Sequence, residues 1–235
     1  MGAAEFRVGV TDVPARVARV RERVAAAAMR SGRRSEDVRL IAVTKDVDVG
    51  HIRAAIAAGV EDLGENRVQE AARKIEALGR GPRWHMVGHL QRNKVAQAVA
   101  LFDVIHSIDG AGILRELSRR PHRPIDVLLQ VNVAGEPQKH GLTPDGLIDV
   151  ASDAAQRPGL RVIGLMTIAP MVTSPEAVRP VFRQLRALRD ELNQRAVFRS
   201  TLVHLSMGMT DDFEVAVEEG ATMVRIGRGI FGERG

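Results

Sequence analysis

Four lysines stand among the 235 residues, at positions 45, 74, 94 and 139, against 30 arginines. In a chain that so favours arginine, a retained amine points to chemistry a guanidinium cannot perform. The foremost such reaction is formation of a Schiff base with a carbonyl. Lys45 directly follows the apolar run LIAVT. At the end of a buried strand an ammonium loses hydration, which favours the neutral, nucleophilic amine. The structural alternative is a side chain snorkelling out of a loop. Near the other end of the chain lie Ser206-Met207-Gly208-Met209-Thr210 and Gly227-Arg228-Gly229. Small residues let backbone N–H groups approach an anion, Ser206 offers a hydroxyl and Arg228 adds charge. Each stretch alone reads equally well as a glycine-containing turn. An amine together with an anion cradle points to a phosphorylated carbonyl ligand.

Other polar residues have structural readings that outweigh functional ones. Asn66 fits a helix N-cap, Asn132 a turn, and Arg225 an ion-paired strand residue that gains a role only by pointing into a barrel mouth. Two patterns are set aside. Gly227 to Gly232 matches G-x-G-x-x-G but lacks the following helix and the acidic ribose partner of a dinucleotide site. His85 and His89 are four residues apart, yet they straddle an apolar run and Gly88 with no Glu between them, so no metal is expected.

These residues need elements to bring them together. Short apolar runs at 40–44, 60–63, 84–87, 104–107, 125–131, 161–166, 202–205 and 223–226 predict strands. Segments of helical period alternate with them, such as 67–78 and 176–193, after an additional amphipathic N-terminal helix at about 14–30. Thr143-Pro144 and Ser174-Pro175 each place a capping hydroxyl before a proline. Eight βα units in one chain predict an α/β fold, a single (β/α)8 TIM barrel over 1–235, with an open doubly wound sheet as the alternative. In such a barrel Lys45 follows strand one, and the two glycine-containing loops follow strands seven and eight. Functional groups of this fold gather at that end.

Missing residue types remove chemistry outright. Without Cys there is no disulfide, thiolate nucleophile or Cys-ligated metal, and without Tyr no phenolic acid or base. The net charge is only +5. The isoelectric point of about 10.5 reflects arginines with nothing to titrate against them. With basic residues scattered among acids and seven aromatics in all, nucleic-acid binding is not expected. The opening residues lack a signal-peptide core and no apolar run approaches a membrane span, which predicts a soluble cytoplasmic protein without membrane contact.

Longer motifs carry a family resemblance. They are IAVTK at 41–45, GENRVQE at 64–70, WHMVGHLQRNK at 84–94, LLQVNVAGEPQKHGL at 128–142, GLMTIAP at 164–170 and HLSMGMTDDFEVAVEEGATMVRIGRGIFGER at 204–234. In this order they resemble the YggS-like, proline-synthetase co-transcribed family of pyridoxal phosphate homeostasis proteins. The resemblance implies a fold type III barrel like the N-terminal domain of alanine racemase. It also implies pyridoxal 5'-phosphate (PLP) held as a Schiff base on Lys45, with Asn66 beside the cofactor and Arg225 facing the pyridine nitrogen. Ser206 and the backbone around Gly227 and Arg228 would hold the phosphate. An arginine at the ring nitrogen keeps it unprotonated and weakens PLP as an electron sink. The implied role is vitamin B6 and amino-acid homeostasis by a monomer that serves PLP-dependent apo-enzymes, rather than dedicated catalysis.

The alternative is an amino-acid racemase of the alanine racemase type, which uses a tyrosine and a β-rich second domain that the sequence does not supply. The chain departs from the family pattern at three places. Arg228 stands where a small Ser, Thr or Ala is usual, Arg67 where Tyr is frequent, and Lys45-Asp46-Val47 where Lys-Thr-Lys/His-Pro is common. At position 228 a hydroxyl-to-phosphate bond is expected to be lost, with backbone donors remaining and the added charge as a second compensation.

Overall fold

The computed structural model describes residues 9–119, 124–157 and 159–233. Strands β1 (Arg39–Val43), β2 (Asp62–Glu65), β3 (Arg83–Met86), β4 (Val104–Ile108), β5 (Ile125–Gln130), β6 (Leu160–Met166), β7 (His204–Ser206) and β8 (Met223–Ile226) pair in parallel in chain order. The sheet closes where Arg39 to Ala42 of β1 register against Met223 to Ile226 of β8. The closed barrel excludes the open doubly wound alternative.

Helices α1 (Val13–Arg30), α2 (Val49–Ala57), α3 (Val68–Leu78), α4 (Val95–Leu101), α5 (Ala111–Ser118), α6 (Leu147–Ala155), α7 (Arg179–Gln194), α8 (Phe213–Glu218) and α9 (Arg228–Phe231) surround it. The additional helix α1 packs on α2, α8 and α9, outside the β1–β8 closure. Its inward stripe is Val13, Val17, Val20, Val24 and Ala27, spaced three and four apart. Each buried valine contributes on the order of 1.5 kcal/mol. Arg23 and Arg30 pair with Glu214 and Glu218 of α8 at its edge.

Two capping expectations are corrected. Ser174 makes no side-chain cap bond, and the chain first forms a 3-10 turn over Pro175–Val178 before α7 begins at Arg179. The physical reason is Pro180, whose ring would clash with the carbonyl four residues back if the α-helix began at 176. Thr143 Oγ1 accepts from the Gly146 amide at 3.2 Å and so stabilises a turn, while α6 starts only at Leu147.

The strand expected at 60–63 lies at Asp62–Glu65, and the one at 202–205 at His204–Ser206. In both, the shift brings in polar residues that an apolar-run criterion passes over. The lumen explains it. Ile41, Val104, Leu128, Met166 and Met223 fill one apolar part of the barrel interior. Asp62, His85, His106, Ser206 and Arg225 are also buried. The contact of His106 Nδ1 with Ser206 Oγ at 2.9 Å joins β4 to β7, which are not neighbours in the sheet, so it crosses the lumen.

This polar interior has a measurable consequence. Burial pushes the basicity of His85 down, against the opposing pull of Asp62, and pushes that of His106 well down. The unfolded chain takes up protons at both sites below about pH 6.5, where the folded state does not. Stability from this source is therefore complete above about pH 6.5 and lost on acidification, by up to about 1.4 kcal/mol per pH unit for each histidine. Urea midpoints are expected to fall from pH 7.5 to 5.5, and His106→Gln should shrink that fall. A flat wild-type profile would contradict neutral buried imidazoles.

Candidate functional site

Lys45 lies in the turn that follows β1 and is half-buried. Its ammonium makes no hydrogen bond or ion pair among the described residues. The peptide units on either side of it are held firmly. The Thr44 carbonyl accepts from Lys74 Nζ, and the Thr44 hydroxyl donates to Glu65 Oε1. Lys74 Nζ also donates to Glu65 Oε1 at 2.8 Å and Glu70 Oε1 at 2.6 Å, and Glu70 Oε1 accepts from the Asp46 amide at 2.7 Å. Glu65 and Lys74 are both buried. Burial pushes the Glu65 carboxyl up, with Lys74 and Thr44 pulling against it. This triad, with Glu70 at its half-buried edge, fixes the backbone that carries Lys45, with Asp46 at φ +57° completing the turn.

Asn66 follows β2 and is half-buried, and its side-chain amide has no partner among the described residues. It is not the N-cap of α3, a place taken by Arg67. Its backbone packs on Gly88, where a Cβ would lie 2.4 Å from the Asn66 carbonyl oxygen. Gly88 thus permits the loops after β2 and β3 to touch.

Asn132, after β5, acts as the turn residue the sequence suggests. Its side chain both donates to the Glu136 carbonyl at 2.8 Å and accepts from the Glu136 amide at 3.2 Å.

Arg225 does point into the barrel. It is buried, donating from Nη1 to Ser206 Oγ at 2.7 Å and from Nη2 to the Thr167 carbonyl at 2.8 Å. Burial pulls its guanidinium down to about 10, partly offset by Asp212, so it remains charged at neutral pH. The loops after β7 and β8 are stitched together. The Gly229 amide donates to Thr210 Oγ1 at 3.2 Å across them, and within the loop after β7 the Met209 amide donates to Asp212 Oδ1 at 2.6 Å. Gly208 takes φ +92°, and a Cβ there would sit 2.6 Å from the Ala216 Cβ. Only glycine suits that bend.

The amides of Gly208, Gly227 and Arg228 make no hydrogen bond among the described residues. Three backbone donors, in the loops after β7 and β8 and at the start of α9, are thus left free, as an anion cradle requires. The Arg228 guanidinium is taken up by Asp211 and by Glu233, the latter at 3.5 Å. Its charge is therefore shared with two carboxylates, and the expected compensation at position 228 falls to the backbone.

His85 and His89 do not act together. His85 is buried in the lumen, whereas His89 joins Asp109 and His140 at the ends of β3, β4 and β5. His89 Nδ1 lies 2.9 Å and His140 Nδ1 3.8 Å from Asp109 Oδ2. The two rings stack 3.9 Å apart at 12°. Lone pairs on parallel rings do not converge on one point, so this arrangement braces the three loops rather than forming a ligand cage.

Sequence reasoning missed Lys74 and His106. Lys74 shares the buried face of α3 with Val68, Ala71 and Ile75, and a lysine on an apolar stripe was the available signal. His106 interrupts an apolar strand in phase with Val104. That phase places it inward.

Residues 16–235 match the family model described as alanine racemase, N-terminal domain. The chain is 44% identical over 223 residues to the pyridoxal phosphate homeostasis protein of Aquifex aeolicus, covering 93% of this chain and 97% of that one. The solved structure of PipY from Synechococcus elongatus with PLP bound is 37% identical with a TM-score of 0.79, over 91% of this chain and 100% of that one. Alanine racemase from Corynebacterium glutamicum, at 15% identity and a TM-score of 0.70, shares the fold over 93% of this chain and 62% of its own. Among the described residues no helix is long and apolar enough to cross a membrane.

Proposed function

The chain belongs to the pyridoxal phosphate homeostasis proteins of the alanine racemase N-terminal domain family, and from that premise we propose that it holds pyridoxal 5'-phosphate on Lys45. One observation carries the reading. An unpartnered ammonium after β1 shares an end of the barrel with three unpaired amides after β7 and β8. That donor set fits a phosphorylated aldehyde. When bound, PLP supplies an aldehyde that condenses with the Lys45 amine with loss of one water.

The residues of this chain do the rest. The amides of Gly208, Gly227 and Arg228 hold the phosphate, and the triad of Lys74, Glu65 and Glu70 fixes the backbone of Lys45. Asn66 offers a free amide beside the ring, and Arg225 keeps a positive donor where a protonated ring nitrogen would be repelled. Ser206 supports Arg225 from below. Without a tyrosine, no phenol can serve as a second base, so we assign no dedicated turnover. The role proposed is PLP storage and supply to PLP-dependent apo-enzymes by a cytoplasmic monomer built as one barrel domain.

The test is titration of the purified protein with PLP, followed by borohydride and peptide mapping. A visible band that becomes fixed on the peptide containing Lys45 is the expected result. Protein that stays colourless would remove the reading, and rapid racemisation of an amino acid would replace it with the racemase alternative.

A further inference from the structure

Five buried polar side chains form one unbroken line through the barrel. Asp62 begins β2 at the floor, beside Arg39 at 3.5 Å and Arg83 at 4.0 Å. From there Asp62 Oδ1 meets His85 Nε2 at 2.7 Å, and His85 Nδ1 meets His106 Nε2 at 2.9 Å. His106 Nδ1 meets Ser206 Oγ at 2.9 Å, and Ser206 Oγ meets Arg225 Nη1 at 2.7 Å. The line thus runs from the floor to the residue that faces the candidate cofactor.

With both buried imidazoles neutral, only one arrangement of protons satisfies it. A carboxylate accepts, so His85 Nε2 carries the proton given to Asp62. A neutral His85 then has a bare Nδ1, which requires the proton of His106 on Nε2. His106 Nδ1 is bare in turn and takes the Ser206 hydroxyl proton. Arg225 can only donate, and Ser206 Oγ has the lone pair to accept. The opposite order would set the bare His85 Nε2 against a carboxylate oxygen at 2.7 Å, two acceptors with no proton between them. Every donor therefore points from mouth to floor.

We propose that His106 and His85, anchored by Asp62, are positioning residues that commit the only proton of Ser206 inward and so make Ser206 the acceptor that locks Arg225 in the mouth. The inference rests on the PLP reading for what Arg225 then faces, but not for the orientation of the chain. It has a sharp corollary. Ser206 has no proton left to give a phosphate, which leaves the backbone amides of Gly208, Gly227 and Arg228 as the donors there.

Two measurements test it on the full chain. Long-range proton–nitrogen spectra of the 15N-histidine-labelled protein should show His85 and His106 neutral with the proton on Nε2 at pH 7 to 8. Either ring with its proton on Nδ1 would overturn the orientation. Next, His106→Leu and His106→Gln are compared for PLP affinity and for the position of the visible band. Gln can still accept from Ser206 through its oxygen and donate to His85 through its nitrogen, whereas Leu can do neither.

The Leu variant is expected to bind PLP about 10-fold more weakly with a displaced band, and Gln to stay within about 2-fold of wild type. Equal behaviour of the two would overturn the positioning role. Wild-type protein that takes up no PLP while showing the expected tautomers would support the oriented chain and sink the cofactor reading.

Discussion

Lys45→Ala is expected to abolish the visible band completely and to weaken PLP retention by at least about two orders of magnitude, while leaving the fold as stable as before. The two halves of this result have separate causes. On the proposed reading, removing the amine removes the one bond that would tie the aldehyde carbon to the chain. What would remain is a set of amide hydrogen bonds from Gly208, Gly227 and Arg228, each worth roughly 1 kcal/mol net. The barrel does not depend on the Lys45 side chain, which has no hydrogen bond or ion pair among the described residues. A change at such a position costs within about 0.5 kcal/mol. PLP equilibrium dialysis and a thermal melt of the same sample check both halves. A variant that kept the band would place the covalent bond elsewhere.

Lys74→Met is expected to do the opposite: a large loss of stability, with cofactor retention impaired only through the backbone. Lys74 is buried and its ammonium serves Glu65, Glu70 and the Thr44 carbonyl together. Removing one partner of a buried ion pair strands the others, at a cost of about 3–5 kcal/mol. In a chain of this size that lowers Tm by roughly 6–20 °C. Glu65 suffers most, because its Oε2 already has no partner and burial already pushes its carboxyl up.

With the clamp gone, the turn carrying Lys45 loosens, so bound PLP should become more open to hydroxylamine. Adding Glu65→Leu to Lys74→Met should restore part of the stability, since an apolar pair of similar volume often substitutes for a buried ion pair. Unchanged Tm in the single variant would mean that the triad does not hold the turn.

Lys45 and Lys74 show how far the sequence could be read. Lys45 was legible because a strand signal ended beside it and because lysine is scarce here. Lys74 was equally scarce, yet its role depends on α3 laying one face against the end of β2, and spacing alone does not report what a face meets. The same holds for Ser206. Its position after an apolar run suggested an anion site, but that its hydroxyl is engaged by Arg225 of the neighbouring β8 and by His106 of β4 across the lumen follows from closure of the barrel. The motif-level resemblance pointed to Asn66, Arg225, Gly227 and Arg228 by position, without saying that the Arg228 guanidinium is drawn to Asp211 and Glu233.

The sequence by itself determined the alternation of strands and helices, the barrel class, the absent thiol and phenol, and a lysine and glycine-containing loops at strand ends. These are local or compositional properties: the period of a hydrophobic pattern, the chemistry a residue type permits, the order of elements along the chain. Tertiary structure alone decided which polar groups meet inside. Whether a histidine in an apolar strand is an isolated burden or a link between Asp62 and Arg225 depends on closure of the sheet between β1 and β8, which brings His106 and Ser206, 100 positions apart, into hydrogen-bond distance. Hydrogen bonds act over about 3 Å, and no one-dimensional pattern encodes a meeting that exists only once the barrel is shut.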